Sequence, residues 1–122
     1  MPTVLLVDDA RTILMTVGMM LSRHGFTVVT AGDGREALDL LATNSPDLII
    51  TDLNMPRMDG VTLTREIRRM PRFGKTPILL LTTENRQERR DEAKVAGATG
   101  WLHKPLTTES LLQVVDRVLP KV

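Results

Sequence analysis

Four apolar runs in this chain stop abruptly on a polar group, and that recurrence restricts the fold more than any other feature. Val4–Val7 run into Asp8 and Asp9, Leu48–Thr51 into Asp52, Ile78–Leu81 into Thr82, and Trp101–Leu102 through His103 into Lys104. A further short run, Val28–Thr30, lies between the first two. The runs at 4–7, 48–51 and 78–82 are continuous rather than alternating, which predicts strands covered on both faces.

Segments with helical spacing separate the runs. Ile13, Leu14, Val17, Met20 and Leu21 make one apolar face, and Ala37, Leu38 and Leu41 a second. Val61, Leu63, Ile67 and Met70 make a third, and Leu111, Leu112, Val115 and Leu119 the last. Gly25, Gly34, Gly60, Gly74 and Gly97 punctuate the boundaries, with Pro46 and Pro77 ahead of strands. The segment Asn85–Ala96, "NRQERRDEAKVA", differs in having only Ala93, Val95 and Ala96 as apolar residues. A helix that buries so little is loosely held, and loosely held elements are the ones that move. Strand and helix alternating five times predict a doubly wound α/β unit with a parallel sheet between helix layers.

The composition narrows what such a unit does. A length of 122 residues fits one domain, since domains cluster at roughly 100–150 residues. Aromatic residues are 2% of the chain, so its core is expected to be aliphatic. Sixteen basic residues against fifteen acidic ones give a formal charge of +1, without the basic excess of a bulk nucleic-acid binder. Zero cysteines exclude disulfides, thiolate metal sites and a cysteine nucleophile, and they fit a reducing cytoplasm. No apolar run reaches the roughly 18 residues that span a membrane. The start "MPTVLLVDD" has no basic region ahead of its apolar run, so no signal peptide is expected.

In open α/β sheets the site lies outside the carboxyl ends of the strands, at a switch in strand order. Asp8, Asp9, Asp52, Thr82 and Lys104 all fall at that edge. Three carboxylates brought together repel, and one takes up a proton unless a cation intervenes. Lys104 supplies one positive charge and a divalent ion two more. An all-oxygen donor set selects a hard ion, and Mg²⁺ binds through one or two carboxylates plus phosphate oxygens. A carboxylate rim with Mg²⁺, an ammonium and a hydroxyl suits a phosphoryl group, and carboxylates do form aspartyl phosphates. Asp52 stands alone whereas Asp8 and Asp9 are paired as metal ligands would be, so Asp52 is the expected acceptor.

The motifs "VDDA", "TDLNMPRMDG", "LLLTTEN" and "GATGWLHKP" resemble, in order and spacing, the signatures of the response-regulator receiver domain, particularly its single-domain chemotaxis (CheY-like) members. The resemblance covers essentially the whole chain. It implies a flavodoxin-like fold, a five-stranded parallel sheet of order 2-1-3-4-5 flanked by five helices, as one receiver domain over residues 1–122 with no output domain. It implies Mg²⁺ held directly by Asp9, mostly through water by Asp8, by Asp52, and by the backbone carbonyl of Asn54. Asp52 would take a phosphoryl group from the phosphohistidine of a sensor histidine kinase, of CheA-like type in chemotaxis. Thr82 would turn toward that group and Lys104 pair with it. Asn54 and Glu84 would tune its hydrolysis, and the Lys104–Pro105 bond would be cis. Trp101 takes the place of the family's switch aromatic, usually tyrosine or phenylalanine. An output surface of Gln87, Arg90, Lys94, Trp101 and Val114 is implied, with a flagellar motor switch protein as one partner. The expected protein is a cytoplasmic monomer that catalyses only its own phosphorylation and dephosphorylation, without direct contact to nucleic acid or membrane.

Blander roles stand beside these. Asp9 also suits the N-cap of the first helix, Trp101 ordinary packing, and Lys104 taken alone a solvated lysine. Thr82 and Thr83 are neighbours, and the spacing favours Thr82 as the one that faces the site. His24 and His103 lack the company of a metal or phosphotransfer site, and the methionines of "MTVGMM" read as core filler. Other functions compete as well: a phosphate sink, a phosphorelay intermediate, or a dehalogenase-type phosphatase. The phosphatase needs Asp-x-Asp at the first strand, where this chain has "VDDA". A flavodoxin needs a hydroxyl- and glycine-rich first loop, where "DDARTI" would repel the flavin phosphate.

Overall fold

A computed structural model describes residues 2–119; residue 1 and residues 120–122 of the expected unit lie outside the described residues. Five strands, β1 (Thr3–Val7), β2 (Thr27–Ala31), β3 (Leu48–Asp52), β4 (Ile78–Thr82) and β5 (Gly100–His103), form one parallel sheet in the order β2-β1-β3-β4-β5. Helices α1 (Arg11–Arg23), α2 (Gly34–Leu41), α3 (Gly60–Arg68), α4 (Gln87–Ala96) and α5 (Thr108–Val118) connect or follow the strands, with a short 3₁₀ turn at Pro71–Phe73. This is the expected CheY-like, flavodoxin-type arrangement. No described helix is long and apolar enough to cross a membrane.

The continuous apolar runs are continuous because both sheet faces are covered. Every residue of β3 and β4 is buried, and successive side chains serve opposite layers. Val4, Leu6, Leu48, Ile50, Leu79 and Leu81 join Val17 and Leu21 of α1 and Leu111 and Val115 of α5. Leu5, Val7, Ile49 and Ile78 join Ala37 and Leu41 of α2 and Leu63 and Ile67 of α3. A smaller cluster of Leu53, Val61, Leu80, Ala93 and Ala96 seats α4. The sheet's strand order reverses between β1 and β3, so the ends of those two strands flank the crevice where a site is expected.

Helix ends fix the loops around that crevice. Asp33 caps α2 by accepting from the Glu36 N–H, and Asp59 caps α3 by accepting from the Thr62 N–H at 2.8 Å. Thr107 and Ser110 form a capping box on α5. The N-cap of α1 is Ala10, without a side-chain bond, so Asp9 does not cap that helix. Asp8 supplies the local support instead, its Oδ1 accepting from the Ala10 N–H at 2.8 Å. Gly60 is required by close approach, since a Cβ there would collide with the Asp52 carbonyl oxygen.

Helix α4 buries only Ala93 and Ala96, and Val95 is 87% exposed, so the predicted sparse seating of this helix is observed. The methionine reading needs correction. Met15 and Met19 are 66% and 51% exposed, because their four-residue spacing puts both on the face opposite Val17 and Leu21, while Met20 is half-buried against the core.

Candidate functional site

β1 and β3 run side by side in register, Val7 opposite Thr51, so their next residues, Asp8 and Asp52, emerge together. Asp8 is fully buried, Asp52 is 5% exposed, and Asp9 is exposed. Each of the three offers a carboxylate oxygen, and these atoms all lie within 4.8 Å of one another. Lys104, just past β5, reaches the same point, its Nζ 3.2 Å from Asp52 Oδ1 and 3.4 Å from Asp8 Oδ2. The Lys104–Pro105 bond is cis, as the motif implied.

Electrostatics follow from this geometry. Burial pushes the Asp52 carboxyl above the usual aspartate range, the charge of Asp8 pushes it further, and Lys104 only partly offsets them. Burial disfavours the Lys104 ammonium, but the charges of Asp52 and Asp8 prevail and hold its pKa above the usual lysine value. Asp8 Oδ2 is buried, and among the described residues its one partner is the Lys104 ammonium at 3.4 Å, an ion pair without a hydrogen bond. That single ammonium is shared with Asp52, so three clustered carboxylates face too little positive charge. Such an all-oxygen, under-neutralised donor set fits a divalent hard cation held by Asp8, Asp9 and Asp52.

The rest of the rim is arranged around β4. Thr82 is buried and its hydroxyl accepts from the Glu84 N–H at 3.0 Å, whereas Thr83 is exposed, as the spacing favoured. The Glu84 carboxylate turns outward onto Arg86, accepting from its backbone N–H and its Nε, and these bonds hold it below the usual glutamate range. Asn54 is exposed in the β3–α3 loop. Of the expected output residues, Arg90, Lys94 and Trp101 line one cavity between α4 and β5. Gln87 bonds along its own helix to Asp91, and Val114 packs into the core shared by α1 and α5.

Two links escaped the sequence reading. Arg89 of α4 bonds Asp59 Oδ2 at 3.3 Å and Glu92 Oε2 at 2.7 Å, tying α4 to the N-terminus of α3. Arg68 of α3 donates to the carbonyls of Gly97, at 3.0 Å, and Phe73, at 2.6 Å, tying the other end of α4 down. The Asp-Gly step before an apolar run signalled the Asp59 cap; nothing local signalled either arginine's partner.

The chain that carries this arrangement is similar to known proteins over most of its length. Residues 4–116 match the response regulator receiver domain. The chain belongs to that family. It is 45% identical to the chemotaxis protein CheY4 of Vibrio cholerae, whose solved structure superposes with a TM-score of 0.95 over 98% of this chain and 99% of that one. It is 34% identical over 120 residues to the chemotaxis protein CheY of Pseudomonas aeruginosa, covering 98% of this chain and 97% of that protein. It is 40% identical over 109 residues to the response regulator MprA of Mycolicibacterium vanbaalenii, covering 89% of this chain but 46% of that protein. The chain thus spans about half the length of the MprA relatives it matches. It is thus a receiver domain of the two-component response-regulator type.

Proposed function

We propose that this receiver is a phosphorylation switch in which Asp52 accepts a phosphoryl group from the phosphohistidine of a sensor histidine kinase. The observation that carries the reading is the buried Asp52 carboxylate at the end of β3, flanked by Asp8 and Asp9 and met by Lys104 at 3.2 Å. Asp8, Asp9 and Asp52 would hold Mg²⁺, with the backbone carbonyl of Asn54 as a further oxygen donor. The ion supplies positive charge that offsets the carboxylates and the incoming phosphoryl oxygens.

The chain's own groups do the rest. An Asp52 oxygen attacks phosphorus as the phosphorus–nitrogen bond of the donor breaks, and the imidazole leaves with that electron pair. Lys104 favours the ionised form of Asp52, offsetting part of the effect of burial, and pairs with the charge that arrives. Phosphorylation adds negative charge beside Thr82. The Thr82 hydroxyl then turns toward the phosphoryl group, and the Glu84 N–H that it now accepts from shifts with it. Glu84 leads directly into sparsely seated α4, so the shift reaches the α4–β5 face. Chemistry beyond its own phosphorylation and dephosphorylation is not part of this reading.

Incubation with acetyl phosphate and Mg²⁺ should add one phosphoryl group to the intact protein by mass spectrometry. Uptake by Asp52→Asn equal to that of wild type would falsify the assignment of the acceptor.

Chemotaxis is the favoured pathway because the likeness to the Vibrio and Pseudomonas chemotaxis proteins extends over nearly the full length of both chains. The likeness to MprA favours a second reading, a receiver acting in another two-component pathway as a sink or relay. Capture on beryllofluoride-activated protein and on Asp52→Asn separates them. A motor switch protein held only by the activated bait supports chemotaxis; kinase or phosphotransfer proteins held equally by both support the alternative.

A further inference from the structure

On β5, Trp101 and His103 face α4, since Leu102 between them points into the core shared with α1 and α5. Arg90 of α4 covers both. Its guanidinium carbon lies 5.3 Å from the Trp101 ring centroid, a cation–π distance, and its Nη2 meets His103 Nε2. Arg90 Nε and Trp101 Nε1 are buried with no hydrogen-bond partner among the described residues. The guanidinium is therefore placed by two things, the indole face and the imidazole.

A guanidinium only donates, so the bond to His103 requires a neutral ring with a free lone pair at Nε2. A proton on that nitrogen removes the acceptor and sets two cations in contact. Charges from the surrounding elements do not compensate. On α4, Lys94 lines the same cavity as Arg90, Asp91 is bonded by Gln87, and Glu92 by Arg89. In the loop after β4, Glu84 is paired with Arg86. On β4, the residue opposite His103 is Thr82, which carries no charge. After β5, the Lys104 ammonium is turned to Asp8 and Asp52. Among the described residues no carboxylate pairs with Arg90 or His103.

We propose that Arg90 is a positioning residue for Trp101 and that His103 gates it. Neutral His103 keeps the guanidinium over the indole; protonated His103 releases it and frees the ring. The α4–β5 face then has two forms selected by a proton, in addition to anything phosphorylation does. Its location gives the latch leverage, because Lys104, the next residue, donates its N–H to the Thr82 carbonyl at 2.9 Å.

The chain has one tryptophan and two histidines, so the test is clean. Trp101 emission is followed from about pH 8 to 5, the range in which imidazoles titrate, on full-length protein without phosphoryl donor. This keeps the outcome independent of the role of Asp52. Wild type and His24→Gln should show the same single-proton transition to longer wavelength on acidification. His103→Gln should show none, and Arg90→Gln should start near the acid value and stay there. Arg90→Lys, which keeps the charge but not the fork, should restore only part of the transition. A flat wild-type profile overturns the proposal, as does a transition surviving in His103→Gln. A full transition in Arg90→Gln also overturns it, since the imidazolium would then be acting on the indole directly. If a variant fails to fold, NMR of wild type decides: the Trp101 indole N–H must titrate together with the His103 ring, and titration with His24 or with neither ring overturns the latch.

Discussion

Lys104 Nζ sits 3.2 Å from Asp52 Oδ1, and the same ammonium reaches Asp8 Oδ2 at 3.4 Å. One cation arriving from the end of β5 thus serves two buried acids from β1 and β3. Replacing it by Lys104→Gln leaves both acids without that charge. We expect a stability loss of about 1–3 kcal/mol at pH 7, below the full cost of breaking a buried pair because Lys104 is 22% exposed. The loss should shrink toward pH 4, where protonation relieves the repulsion. Urea unfolding at the two pH values checks this; equal losses at both would mean that packing of the lysine stem, not its charge, is responsible.

Asp52→Asn should have the opposite effect. Folded Asp52 holds its proton more tightly than an unfolded aspartate, so the native state binds more protons over the interval between the two values. Stability from this group is complete below the unfolded value, about 3.9, and is lost as the pH rises through the raised folded one. Asn removes that loss. The variant should exceed wild type by on the order of 1 kcal/mol at pH 7, with the two curves converging toward pH 3. A profile of Tm against pH for both proteins decides it, and curves that stay parallel throughout would exclude Asp52 as the source.

The acidic cluster predicts stabilisation by Mg²⁺. A ligand that binds only the folded state at ten times its Kd adds about 1.4 kcal/mol, which should appear as a rise in Tm absent in NaCl of equal ionic strength. Asp9→Asn is the informative variant. Asp9 is exposed and caps nothing, so its loss should leave the Mg²⁺-free Tm nearly unchanged while abolishing the rise. A Tm lowered by Asp9→Asn without Mg²⁺ would point to a structural role instead.

Much of the fold and the chemical rim was legible because both depend on local patterns. A short apolar run such as Leu48–Ile50, with Pro46 ahead of it and a polar residue after it, reads as a doubly covered strand whose polar end lies at an open edge. The details that escaped depend on partners distant in sequence. Asp9 looked like a cap because of its place before α1, but the helix begins one residue later, at Arg11, and leaves Ala10 in the cap position. Met15 and Met19 looked like core because methionine is apolar, yet helical phase turns them outward. Arg68 drew no reading and Arg90 that of an output-surface residue, since Gly97, Phe73 and His103 come within reach only once α3, α4 and β5 are assembled.

Arg89 and Asp59 give the last prediction. Asp59 caps α3 and also receives Arg89, so it joins the start of α3 to α4. Burial pushes its carboxyl up, but the bonds from Thr62 and then Arg89 outweigh this and hold it below the usual aspartate range. Its contribution is therefore present at neutral pH and is lost as the pH falls through the lowered value. Asp59→Ala should cost about 1–2 kcal/mol, as expected for a lost N-cap. Arg89→Ala should cost less, about 0.2–1 kcal/mol, the range of a partly exposed pair. The distinction lies in where the loss falls: Arg89→Ala should speed amide exchange in the first turn of α4 and leave α3 protected, whereas Asp59→Ala should loosen both. Equal exchange rates in α4 of wild type and Arg89→Ala would show that the buried Ala93 and Ala96 suffice to hold that helix, and that its mobility is set from the Arg68 end.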